Sequence, residues 1–144
     1  MDDLEFIRRF EDCTLPGDAF HHREHVRLAW LYLRRHSVME ALGRFTEGLK
    51  RFAAANGQPG LYHETITWAY LFLIHERMAR AGEAEAWEAF MAGNPDLFTW
   101  NPSVLAGYYQ EETLRSELAR RVFVLPDRRP GLQSSVEPAA EAGP

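Results

Sequence analysis

Leu61-Tyr-His-Glu-Thr-Ile-Thr-Trp-Ala-Tyr-Leu-Phe-Leu-Ile-His-Glu-Arg-Met-Ala79 is the stretch whose reading decides the fold. At about 100° per residue its apolar side chains (Ile66, Trp68, Tyr70, Leu71, Phe72, Leu73, Ile74 and Met78) point in every direction, the pattern of a helix surrounded by other elements. The stretch is therefore read as a central helix over about 61–80. It also carries His63, Glu64, Thr65, Thr67 and His75. A polar group withdrawn from water must find a partner or destabilise the fold, so the functional question is what these groups face.

Outward from this helix, the chain reads as further helices. Phe6, Ile7, Phe10 and Cys13 share one arc of a short amphipathic helix that Pro16-Gly17 ends. Asp18-Ala-Phe-His-His-Arg-Glu-His25 leads into a second helix that is expected to run to about Arg35, with His21-His22 near its N-terminus. On it Val26, Ala29 and Leu33 lie within about 40° of His22, and His25 and Tyr32 lie about 60° to 80° to one side. Both histidines thus fall on the core-facing stripe. Ser37 N-caps a third helix on which Val38, Ala41, Leu42, Phe45, Leu49, Phe52 and Ala53 recur at three- and four-residue steps, and Asn56-Gly57 closes it. The short Gln58-Pro59-Gly60 link makes the third and central helices antiparallel neighbours.

After Gly82 a shorter helix is expected from Glu83 to about Ala92, with Ala84, Trp87, Phe90 and Met91 inward and Glu85 and Glu88 left for water. Asn101-Pro102 reads as an N-cap with proline at the first helical position, opening a helix to Tyr109. A last helix is expected from Glu111 to Val122, and Phe123 to Pro126 then lies extended over the bundle. From Asp127 the composition turns to Pro, Gly, Ser, Ala and Glu, which predicts a disordered tail over 127–144. The expected architecture is all-α: one helical-bundle domain over 1–126, with five to seven helices.

Composition narrows the function. A chain of 144 residues that is 46% apolar can build one core. Its net charge of −5 argues against a nucleic-acid binder, which needs a basic face. A single cysteine, Cys13, allows neither an intrachain disulfide nor a thiolate metal cluster. The longest apolar run, Trp68 to Ile74, is too short to span a bilayer, and the start lacks a secretion-signal order, so the expected location is the cytoplasm with no membrane partner. No phosphate-binding glycine loop, nucleophile elbow or dinucleotide fingerprint is present.

The strongest constellation is His22-x-x-His25 with His63. Two histidines at i and i+3 can aim at one point, and a third from a neighbouring helix completes a three-nitrogen set that leaves a metal one open position. The expected cofactor is one divalent transition metal: zinc would activate water, whereas iron or copper would suggest oxygen chemistry. Glu64 and Tyr70 are the candidates for proton transfer. Thr67 and Tyr70 stack above His63 and could orient a ligand, with Tyr108 and Arg120 as a weaker binding pair. The competing reading makes His22 and His25 core or helix-start histidines, Glu64 a first-turn glutamate favoured by the helix dipole, His75 a core histidine and both Arg120 and Arg121 surface residues.

Phe20-His-His-Arg-Glu-His25-Val-Arg-Leu-Ala-Trp-Leu-Tyr-Leu33, Tyr62-His-Glu-Thr-Ile-Thr67-Trp, and Tyr108-Tyr109 with Glu112-Thr-Leu-Arg-Ser116 and Ala119-Arg120 together resemble a family of small, uncharacterised bacterial proteins. That resemblance covers most of Leu4 to Asp127. It implies that the histidine segments belong to a recurring pattern but supplies no reaction. A looser likeness, to the DinB-type helical bundles, implies only the idea of three histidines holding a divalent metal. Two functional readings follow: a metal-dependent enzyme, hydrolase or lyase or oxygen-using, acting on a small molecule; or a non-catalytic module that binds a small molecule or a partner in a histidine-lined pocket without metal. Trp30, Trp68 and Trp100 are aromatic anchors that suit the second. A structural role in an oligomer such as a homodimer is a third reading, and it would need an exposed apolar patch.

Overall fold

The computed structural model describes residues 1–82 and 85–128. The described residues form a single-domain bundle of α1 (Asp3–Glu11), α2 (His22–Arg35), α3 (Val38–Ala55), α4 (Glu64–Ala81), α5 (Trp87–Gly93), α6 (Glu111–Arg115) and α7 (Glu117–Arg121). Short 3-10 turns at Gly17–Ala19, Pro59–Leu61, Pro95–Phe98 and Val104–Gly107 join them. No β-strand occurs among the described residues, and no helix there is long and apolar enough to cross a membrane.

The framework is α2, α3 and α4 packed on one another, with α1 laid on α3 and α7 on α4. Each helix buries the stripe its periodicity marks: Phe6 and Phe10 on α1, Val26 and Ala29 on α2, Phe45 and Phe52 on α3, Leu71 and Ile74 on α4. The α1–α3 contact is close because residue 48 is glycine. A Cβ there would lie 2.4 Å from Cε2 of Phe10. Phe10 is fully buried, its ring 5.4 Å from that of Phe20 and 5.6 Å from that of Phe52, so it has nowhere to swing. Gly48→Ala gains about 1 kcal/mol of helix propensity against about 1–3 kcal/mol of overpacking. Because the overlap is so severe, the expected net result is a loss of about 1–2 kcal/mol in urea unfolding. An unchanged or raised midpoint would show that α1 can ride outward at no cost.

Element ends have local causes, and several differ from the sequence expectation. α2 begins at His22, where the Glu24 carboxylate reaches back to accept from the His21 N–H at 3.0 Å and fixes the start. α4 begins at Glu64, since His63 is its N-cap and accepts from the Ile66 N–H through Nδ1 at 3.1 Å. α1 stops at Glu11, and Cys13 lies beyond it with φ of 62°. The expected helix over 102–109 is only a 3-10 turn, Val104–Gly107. The Asn101–Pro102 peptide is cis, and the turn is capped by Ser103 Oγ, which accepts from the Leu105 N–H at 3.0 Å.

The expected helix over 111–122 is two. Ser116 interrupts it, donating to the Thr113 carbonyl at 2.7 Å and accepting from the Ala119 N–H at 3.1 Å. The short helix after α4 begins at Trp87; Glu83 and Ala84 lie outside the described residues. The C-terminal half of α4 is not enclosed. Phe72, His75 and Glu76 are exposed there, so His75 is a surface residue and not a core histidine.

The segment after α7 crosses the bundle extended, and one side chain holds it. Thr65, fully buried on α4, donates from Oγ1 to the Val122 carbonyl at 2.8 Å and accepts from the Val124 N–H at 3.0 Å. The Tyr109 hydroxyl donates to the Val124 carbonyl at 2.7 Å, and Phe123 stacks on Trp68 with centroids 5.2 Å apart. Asp127 is bonded too, accepting from the Gln110 N–H at 2.9 Å and from the Thr113 hydroxyl. The segment expected to be a tail from Asp127 is therefore tied to the bundle at least through Arg128, whose N–H donates to the Tyr108 carbonyl at 2.8 Å. The remainder of that expectation, 129–144, lies outside the described residues.

Candidate functional site

Between α2, α3 and α4 the inward stripes do not close on one another. They enclose a cavity of about 920 Å³, half open to solvent, that reaches from a rim at Leu61 and Trp100 to the buried side chains of Phe45 and Ile74. Its wall carries His22, His25, His63, Thr67 and Tyr70, so five of the sequence candidates meet there. Glu64 does not line it; its carboxylate accepts from the Tyr62 hydroxyl at 2.6 Å. Tyr108 lies on the other side of α4, against a separate cavity of about 190 Å³ with Phe72 and Phe123. Arg120 is on the surface, its guanidinium paired with the Glu117 carboxylate, which raises the guanidinium's already high pKa.

The three histidines share the cavity but not a task. His63 Nδ1 accepts from the Ile66 N–H, which fixes the proton on Nε2, and Nε2–H donates to the Leu114 carbonyl at 2.7 Å. Both ring nitrogens are therefore committed to backbone. His22 lies at the first position of α2, and its Nε2–H donates to the Leu97 carbonyl at 2.8 Å. Its ring is packed between Trp100 and Tyr70, with centroids at 4.8 and 4.9 Å. Arg77 steadies the other end of that bond by pairing with Asp96, at 2.8 and 3.0 Å, and with Asn94 at 2.9 Å, beside Leu97. The same pairing holds the Asp96 carboxyl below the usual carboxylate range.

His25 is different. Its ring packs on Phe20, with centroids 4.4 Å apart, and its imidazole has no hydrogen-bond partner among the described residues. It retains accessible surface although its surroundings are those of the interior, because the surface it exposes belongs to the cavity wall. Burial, and then the nearby His22 and His21, push its pKa down to about 4. Burial also lowers His22, against its bond to Leu97. At neutral pH His25 is thus an uncharged ring whose one donor and one acceptor have no partner among the described residues. Burial pushes the Tyr70 phenol up, so it keeps its proton and shares a 2.7 Å hydrogen bond with the Ser103 hydroxyl.

The expected metal set of His22, His25 and His63 does not gather as one cluster among the described residues. Among the described residues no three His, Cys, Asp or Glu side chains converge as an ion would require. His63 is unavailable for a physical reason: a capping imidazole that bonds backbone through both nitrogens has no lone pair left for a ligand bond. Sequence reasoning also missed part of the wall. Phe45, Leu49 and Phe52 are core residues as expected and line the cavity as well, and so does Tyr62, for which the sequence suggested no role. Trp100, expected as an aromatic anchor, is 52% exposed at its mouth. Compared with known proteins, the chain matches no family model, no curated protein and no solved structure.

Proposed function

We propose that this protein is a non-catalytic small-molecule-binding helical module whose ligand sits in the cavity between α2, α3 and α4. One observation carries the reading: a cavity of about 920 Å³ between the three helices, at whose wall the half-buried His25 imidazole has no hydrogen-bond partner among the described residues. Ligand sites are commonly concave and apolar with a few placed polar groups, on the order of 300–1,000 Å³. Catalysis is not part of the reading, because the proton-transfer candidates are engaged elsewhere: Glu64 with Tyr62, and Tyr70 with Ser103.

The test uses an uncharged fluorescent probe, N-phenyl-1-naphthylamine. Wild-type protein is expected to bind it saturably at one site, and Ala53→Trp, which fills the cavity from α3, is expected to lose that binding while keeping its helical circular dichroism. Absence of saturable binding to the wild type, or equal binding to the filled variant, would overturn the proposal.

The metal-enzyme reading makes a separate demand, that His63 give up both backbone bonds. Protein purified without an affinity tag is expected to carry far less than one equivalent of zinc, iron or copper by elemental analysis. One equivalent, lost in both His22→Ala and His63→Ala, would restore the three-histidine site.

A further inference from the structure

The wall composition goes further than the existence of a site. Among its residues there is no lysine or arginine, and the one carboxylate is Asp18, exposed at the rim. The interior polar groups are neutral or already engaged: His63 and His22 donate to backbone carbonyls, Tyr70 is bonded to Ser103 and Tyr62 to Glu64. An anion placed here would lose its hydration and gain no fixed positive charge, and a cation would find no buried carboxylate. Phe20, Phe45, Phe52, Tyr62 and Trp100 put five aromatic side chains in the remaining wall beside aliphatic ones, and such rings can stack on a flat ligand ring.

We infer that the ligand is an uncharged, ring-containing, largely apolar molecule with one hydroxyl or carbonyl group, which hydrogen-bonds His25 on the cavity wall. The inference rests on the binding reading above. It employs His25, the part-buried imidazole of the wall with no hydrogen bond on either ring nitrogen among the described residues. A hydroxyl would donate to the free ring nitrogen or accept from the ring N–H, and a carbonyl would accept from the N–H. Depression of the His25 pKa by burial agrees, since it keeps the ring uncharged at neutral pH. Trp100 and Leu61 at the mouth cover the apolar end of such a molecule as it enters.

A matched series separates this inference from the reading beneath it: naphthalene, 2-naphthol, 2-naphthoate and 2-naphthylmethylamine, titrated into wild-type protein at pH 7.5 (about one unit above the ordinary imidazole pKa). Affinity is read by isothermal calorimetry and by the His25 ring shifts in NMR. The expected order puts 2-naphthol first, roughly tenfold tighter than naphthalene, with both ions weaker than naphthalene. In His25→Phe, which preserves the packing on Phe20, the naphthol advantage is expected to vanish while naphthalene is unchanged. Equal binding of naphthol and naphthalene, or a preference for either ion, overturns the assignment of ligand class and leaves the cavity reading in place. Failure of all four compounds together with N-phenyl-1-naphthylamine overturns both. If His25→Phe does not fold, the wild-type order alone still decides.

Discussion

Acidification from pH 7 to pH 4 is expected to remove up to roughly 3 kcal/mol of folding stability through His25 alone. The sign follows from proton counting. The unfolded imidazole titrates near its ordinary value of about 6.5, whereas burial holds the folded one down to about 4. Between those values the unfolded chain binds the extra proton and the native chain does not, so stability rises with pH through that window. The contribution is fully present above the unfolded pKa and is lost as pH falls toward the folded one. His22 is lowered by the same cause and adds in the same direction. The groups facing His25 cannot reverse this, since His21 and His22 repel its proton and Asp18 lies at the exposed rim. Urea midpoints of wild type and His25→Phe, taken between pH 4 and pH 7, should show the wild type losing stability relative to the variant as the pH falls. Parallel curves would show that His25 is hydrated and ordinary.

Thr65→Val is expected to cost about 2–3 kcal/mol, a fall of roughly 10 °C in Tm. The two side chains have the same shape, so packing on α4 changes little. What is lost is one hydroxyl that donates to the Val122 carbonyl and accepts from the Val124 N–H. Each backbone group left without a partner beside a fully buried residue carries a desolvation penalty of about 1–3 kcal/mol, reduced here because Val122 itself is partly exposed. The variant should also lose hydrogen-exchange protection at the Val124 amide while binding N-phenyl-1-naphthylamine as before, because the cavity lies on the opposite side of α4. Unchanged protection there would mean that Tyr109 and the Trp68–Phe123 stack suffice to hold the segment.

The contrast between Thr65 and His25 shows where sequence reading stops. Both are polar residues on inward helical faces, where a side chain needs a partner. Thr65 found two in a segment nearly sixty positions away in sequence, about 57–59 residues. His25 found none. His63 was placed in the first turn of the central helix, and it lies one position earlier, as the cap. That single step converts an inward ligand candidate into a group spent on backbone, and helical periodicity cannot see it because the cap residue is not yet on the helix.

The amino-acid order by itself determined the all-α class, the stripes that α1 to α4 bury, the turns at Pro16-Gly17 and Asn56-Gly57, and the inward aim of His22, His25, Thr67 and Tyr70. These follow from local dihedral preferences and a repeat of about 3.6 residues, which fix the direction of a side chain from its own neighbours in the chain. Only the tertiary structure decided that the core residues Phe45, Leu49 and Phe52 also border a cavity, that Leu97 and Leu114 supply carbonyls to His22 and His63, and that Tyr108 and Arg120 lie away from the site. Direction is a property of one helix. The gap between two facing helices depends on the volumes and crossing of all the elements around them, and no periodicity within one segment encodes it.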